Sequence, residues 1–174
     1  MPIVEPTPRA PKDDSRPFSG RTLARQRAVD VLYAADLRGQ RIPDAVDAWL
    51  ENARHNLEGN LPQSEPELAR QARAQAELDS LDSFQYARTI ALGVAEHQAS
   101  IDELIDAYAR DWTLARMPKV DLAILRVATW ELLYNDEVPT AVAIAEAGKL
   151  AQVLSTDSSP RFVSGVLHGI AENA

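Results

Sequence analysis

The chain contains no cysteine, which excludes a disulfide scaffold, thiolate metal sites and thiol catalysis. Histidine is scarce. The three that occur, His55, His97 and His168, form no H-x-x-x-H pair, so their spacing supplies no zinc site. No apolar run approaches the roughly 18–20 residues that a bilayer-spanning helix needs. The N-terminus, M-P-I-V-E-P-T-P-R-A-P-K-D-D-S-R-P, has no apolar stretch behind its charges and so does not read as a secretory signal. These absences predict a cytoplasmic protein with no membrane partner. Catalytic signatures are missing too: there is no G-x-S-x-G, no G-x-G-x-x-G and no Gly-rich phosphate loop. Asp102 and Asp106 would share a helix face, but the Glu-x-x-His partners of a bundle metal site are lacking, and the pair reads as a solvated acidic face. Glu96-His97 lacks the second histidine of a zincin motif, and His97 reads as a surface or edge residue. His168 falls in the C-terminal turns, where a cation suits the helix dipole. No residue is assigned a catalytic role, and no cofactor or metal is expected.

What is present is an ordinary globular composition. With 174 residues, 45% of them hydrophobic and 25% charged, the chain is long enough for one domain with a real core. Its net charge is −8, which at first argues against nucleic acid, but the charge is unevenly spread. Residues 1–27 hold six Lys/Arg and three Asp/Glu, a net of +3, while residues 28–174 carry a net of −11. Between Ser15 and Val29 stand Arg16, Arg21, Arg25 and Arg27, with no acid. A basic tip on an acidic body can grip a phosphate backbone locally while the body repels non-specific binding.

Residues 1–18 contain five of the eleven prolines and no apolar periodicity, so they read as a disordered tail before a domain at 19–174. A helix is predicted from near Arg21, with Ala24, Ala28, Val31, Leu32 and Ala35 on one face and Gly39 as its stop. A second starts at Pro43 or Asp44, with a face of Val46, Trp49, Leu50 and Ala53. Residues 56–66 read as a loop. The polar stretch Glu67 to Leu81 favours helix by propensity but has a thin apolar face, which predicts a poorly packed helix or a mobile insert. Ala87, Ile90, Ala91 and Val94 mark the next helix, and Ser100-Ile101-Asp102-Glu103 reads as a capping box opening another with Ile101, Leu104, Ile105 and Tyr108. Pro118 precedes a helix over about Val120 to Tyr134, and Pro139-Thr140 opens one ending near Leu154. Ser159-Pro160 reads as N-cap and first residue of the last helix, with Phe162, Val163, Val166, Leu167 and Ile170 on its face. No segment alternates as a strand would. The prediction is an all-α bundle of about seven helices.

Three constellations stand out. Arg21 and Arg25 share one flank of the first apolar stripe and Arg27 projects from the other. Arginine forks suit phosphate and stack on bases, so this cluster is a candidate RNA contact, against the plain alternative of a solvated helix start pairing with Asp30. Arg161 and Phe162 lie in the first turn of the last helix, just after Ser158-Ser159. The free N–H groups, the dipole and Arg161 would suit a phosphate, while most of the Phe162 ring is expected in the core with an accessible edge. Finally, with Ile124, Val127 and Ala128 inward, Asp121 and Arg126 are expected on the flanks or outside, facing either solvent or a protein partner. Trp130 and Tyr134 read as packing residues with polar handles.

The last third of the chain, M-P-K-V-D-L-A-I-L-R-V-A-T-W-E-L-L-Y from Met117 to Tyr134, then T-A-V-A-I-A-E-A-G-K-L-A after Val138-Pro139, then R-F-V-S-G-V-L from Arg161 to Leu167, resembles the NusB family of bacterial transcription antitermination factors. A-R-Q-R-A-V-D-V-L-Y from Ala24 to Tyr33 adds to the likeness, which covers roughly Arg21 to Ile170. The resemblance implies two small helical lobes, near residues 21–81 and 83–172, and no catalytic centre. It implies binding of boxA RNA in nascent transcripts, including ribosomal RNA leaders, together with NusE, a small-subunit ribosomal protein. Other Nus factors and RNA polymerase complete the implied assembly. Carried over by position, the implied RNA contacts are Arg21, Arg25, Arg27, Ser158, Arg161 and Phe162, and the implied NusE contacts are Asp121 and Arg126. The chain departs from the family pattern at Ser158, where many relatives have an acid, at Pro160, at Ser164 of F-V-S-G-V-L and in the longer polar segment 63–81. A homodimer that masks the RNA site stays open at this point. So do two other roles: a non-catalytic helical scaffold for proteins, and an RNA-binding module like the N-terminal domain of ribosomal RNA methyltransferases.

Overall fold

The computed structural model describes Phe18 and residues 20–174; the tail expected over residues 1–18 therefore lies, apart from Phe18, outside the described residues. Eight helices follow in order: α1 Gly20–Arg38, α2 Ile42–Gly59, α3 Glu67–Ser80, α4 Asp82–Glu96, α5 Gln98–Tyr108, α6 Lys119–Tyr134, α7 Thr140–Leu154 and α8 Ser159–Asn173. No strand occurs among the described residues. The helix beyond the expected seven is α3, whose thin apolar face had left it between a helix and an insert. Only Ala74 and Leu78 of α3 are buried, both stand outside the main apolar cluster, and α3 packs chiefly on α2 and α4.

The predicted apolar faces are the buried ones. Ala24, Ala28, Val31, Leu32 and Ala35 of α1 face inward, as do Ala87, Ile90, Ala91 and Val94 of α4 and Val163, Val166, Leu167 and Ile170 of α8. Each fully buried aliphatic side chain is worth about 1.5–3 kcal/mol of transfer free energy, and one continuous cluster runs from Phe18 through α1, α2 and α4–α8. Phe18 is thus a core residue at the edge of the proline-rich tail. Gly39 ends α1 as predicted: its φ is +60°, and the N–H groups of Gly39 and Gln40 return to Asp36 O and Ala35 O at 3.3 and 2.9 Å, the Schellman pattern that favours glycine.

The centre of the bundle is α6. Every residue from Asp121 to Glu131 is buried, as expected for a helix surrounded by others; α1, α4, α5, α7 and α8 all pack on it. It runs antiparallel to α1, since Arg25 meets Glu131 at 2.7 Å and Asp36 meets Lys119 at 3.2 Å. Where α4 crosses α6 the approach is close. A Cβ on Gly93 would lie 2.1 Å from Trp130 Nε1, so only glycine fits.

Three local expectations are corrected. The Ser100 capping box does not form, because α5 starts earlier at Gln98 behind His97; the Ser100 hydroxyl donates to His97 O at 3.1 Å instead. At α8 the N-cap is Ser158, with Ser159 already helical, because the Ser159 hydroxyl is drawn to Asp121 on α6 at 2.9 Å. The segment 56–66 is likewise shorter as a loop, α2 continuing to Gly59.

Candidate RNA interface

The first candidate cluster divides into three different environments. Arg25 is only 6% exposed. Its Nε and Nη2 donate to the two Glu131 carboxylate oxygens at 2.7 and 3.1 Å, and Nη1 lies 3.7 Å from Glu146. Glu131 is itself 1% exposed, so this is a buried, two-pronged pair of the kind for which a guanidinium is suited. Burial alone would lower the Arg25 pKa, but the hydrogen bond and charge of Glu131, with Tyr86 and Glu146 behind it, raise it. Burial pushes the Glu146 carboxyl up, yet the Thr22 hydroxyl, Lys149 and Arg25 pull harder and hold it below its ordinary range. The Arg25 donors are thus engaged by two carboxylates inside the bundle.

Arg21, one turn earlier, is exposed. Its guanidinium lies 3.8 Å above the Tyr86 ring and 3.2 Å from Asp82. Arg27 is half-buried on the other flank, 3.9 Å above the Phe84 ring, which in turn stacks on Trp49 at 5.1 Å. Thus α4 supplies an aromatic platform for each outer arginine and α6 a carboxylate for the inner one. Arg21, Tyr86 and Asn135 also border a shallow pocket of about 240 Å³, where Asn135 Nδ2 donates to the Tyr86 hydroxyl at 3.1 Å.

The second cluster is at the start of α8. Ser158 and Arg161 are exposed and Phe162 is half-buried, its ring packed against the core as expected. Among the described residues no carboxylate pairs with Arg161. The turn is fixed from below. Asp121, 2% exposed, accepts from the Ser155 hydroxyl at 2.5 Å and the Ser159 hydroxyl at 2.9 Å, and Ser159 also contacts Thr156 at 2.8 Å. Buried Asp121 thereby sets where Ser158 and Arg161 project.

Asp121 and Arg126 are a correction. Both were expected on the flanks or outside; both are buried, at 2% and 8% exposure. The reason is that each has a distant partner. Arg126 Nε and Nη2 donate to the Asp102 carboxylate, both at 2.9 Å, which ties α6 to α5 and removes Asp102 from the solvated acidic face, while Asp106 stays exposed. His97 sits at an edge as read, stacked on Tyr134 at 3.7 Å.

The two arginine clusters are not brought together. Arg25 touches Glu131 at one end of α6 and Ser159 touches Asp121 near the other, ten residues or about 15 Å apart along the axis. Glu131, Glu146, Tyr86 and Phe84 are the contributing residues that sequence reasoning did not single out, and Asp102 was read only as a solvated acid; the alternating charge of α6 and α7 carried no sign of which arginine each acid would meet. Among the described residues no three His, Cys, Asp or Glu side chains are grouped to hold a metal ion, and no helix is long and apolar enough to cross a membrane.

The described residues form a small all-α bundle of eight helices around a buried α6, with arginines at the starts of its first and last helices, and residues 22–172 match the model of the NusB family. The chain belongs to the NusB family. It is similar to the transcription antitermination protein NusB of Clavibacter sepedonicus, 49% identical over 154 residues covering 88% of this chain and 97% of the relative. The NusB protein of Leifsonia xyli subsp. xyli is 47% identical over 156 residues, covering 90% and 94%. Among solved structures, T. maritima NusB superposes with a TM-score of 0.63 at 26% identity, covering 89% of this chain and 92% of that one. A structure of antitermination factors NusB and NusE in complex with dsRNA gives 0.61 at 21% identity, covering 88% and 97%, and so shares the fold.

Proposed function

We propose that this protein is a transcription antitermination factor that binds boxA RNA of nascent transcripts, including ribosomal RNA leaders, together with NusE, and works by adaptor binding rather than catalysis. Membership of the NusB family and near-half identity to antitermination proteins over most of the chain support the role. The solved complex of related NusB and NusE proteins with RNA supports the pair of partners. Other Nus factors and RNA polymerase join through that assembly, in the cytoplasm.

The observation that carries the reading is exposed Arg161 at the start of α8, held by the Asp121–Ser159 bond on an otherwise acidic body. A helix N-terminus with free N–H groups and an open guanidinium suits a phosphate. Arg21, near the other end of α6, supplies a second basic point on its Tyr86 platform. Two anchors this far apart suit a linear ligand, a single strand of several nucleotides, better than a compact one. Arg27 contributes from the far flank. Arg25 acts as a positioning residue, since its pair with Glu131 holds α1 against α6. Asp121 and Arg126 serve the NusE side in the same indirect way, by fixing the α7–α8 turn and α5.

The test is a fluorescence-anisotropy titration of boxA-containing RNA against a scrambled RNA of equal length, with and without NusE. Specific binding that NusE strengthens is the expected result, because the two ligands then couple through one ternary complex. Equal, weak binding to both RNAs in every condition removes the antitermination reading and leaves a protein-binding scaffold.

A further inference from the structure

A cleft of about 490 Å³ opens between α2, α3 and α4, away from the pocket beside Arg21. Its floor is a column of flat groups: the Arg27 guanidinium 3.9 Å over Phe84 and Phe84 stacked on Trp49 at 5.1 Å with 28° between the planes. Phe84 and Trp49 are half-buried, so part of each ring faces the cleft. Along the cleft Asn52 and Asn56 of α2 and Asn60, the residue that caps its C-terminus, repeat every four residues, which puts the first two on one helix face. All three are exposed, and among the described residues their side-chain amides have no hydrogen-bond partner. Glu77 of α3 also lines the cleft.

We infer that this cleft takes one unpaired nucleobase of the bound RNA, a site that adds to the two arginine clusters; the inference rests on the RNA-binding reading above. Every base has a face that stacks on an aromatic side chain, and arginine strengthens such a stack. Each asparagine amide offers a donor and an acceptor side by side, the pattern that reads a base edge in pairs. Glu77 repels phosphate, so the backbone stays outside the cleft and a neutral planar group enters it. Arg27 joins this cleft to the basic start of α1, which lets one strand reach both.

The experiment uses the full chain with Trp112→Phe, which removes an exposed indole and leaves Trp49 and the buried Trp130 as fluorophores. Titration with boxA-containing RNA should quench Trp49 emission. The exposed double variant Asn52→Ala, Asn56→Ala should weaken RNA binding about tenfold, the loss of two hydrogen-bonded contacts. It should do so with an unchanged salt slope and unchanged unfolding midpoint, since no phosphate contact and no core packing is lost. RNA binding with no quench, and with the double variant at parental affinity, overturns the cleft and leaves the antitermination reading standing. Quenching by NusE but not by RNA also overturns it and makes the cleft a protein contact. No RNA binding by the parent overturns both.

Discussion

Arg25 in the second turn of α1 and Arg161 in the first turn of α8 are the same residue type put to opposite uses. Arg25 lies under the surface, with Glu131 and Glu146 around it. Arg161 is exposed with no carboxylate paired to it among the described residues, and Asp121 beneath the turn faces inward to Ser155 and Ser159. The difference is not in the arginines. It is in whether an acid from a distant helix comes to meet them. A buried pair with good geometry resists being broken because the survivor is left charged and dry; an exposed guanidinium loses little when removed and is free to pair with a ligand.

That contrast gives a ranked set of expectations. Arg25→Ala leaves Glu131 buried and unpaired and should destabilise the fold by about 3–5 kcal/mol in urea denaturation. Adding Glu131→Gln should restore part of the loss. A parental unfolding midpoint with weakened RNA binding would instead make Arg25 a direct RNA contact and erase the contrast. Asp121→Ala frees two serine hydroxyls and should cost about 2 kcal/mol of stability. It should also lower RNA affinity, through the misplaced α8 turn; Asp121→Asn, which can still accept both bonds, should recover most of that affinity. Arg161→Ala should leave the unfolding midpoint alone while weakening RNA binding several-fold and reducing the salt slope by about one. An unchanged slope would show that Arg161 touches no phosphate. The smallest effect concerns pH. The Glu146 carboxyl is held below its ordinary range in the fold, so its stabilisation is complete above the unfolded carboxylate range and is lost as pH falls through its folded value. Denaturation curves of parent and Glu146→Gln should therefore converge on acidification from about pH 6 to about pH 3; a constant gap would mean that the acid titrates normally.

Much of the bundle was legible because helix faces are local. Ala24 to Ala35 obey one period, and Gly39 ends that helix by its own backbone preference. Ser159-Pro160 also located the start of α8 to within one residue, and the apolar period of that helix placed most of the Phe162 ring against the core. Pairings were not legible. Arg25 and Glu131 are 106 residues apart in sequence and Arg126 and Asp102 are 24 apart; no periodicity links them. Asp121 and Arg126 looked like surface residues because charges on a helix usually are, and nothing within α6 indicates that helices close around all its sides. Ser100 shows the limit for caps. Its spacing fitted, but His97 starts α5 three residues sooner.

The placement of α6 also has a meaning in time. The helix on which five others rest is made after two-thirds of the chain. While α1 to α4 leave the ribosome, Arg25 has no counter-charge, and α1 and α4, which pack on each other, lack the central helix that covers their remaining apolar side. Loop closure over so long a stretch is entropically costly and makes formation of the assembled bundle a late, concerted event. The molecule thus becomes competent to present Arg161 only once nearly all of it has been synthesised, and a partly made chain has no finished α8 turn to offer a ligand.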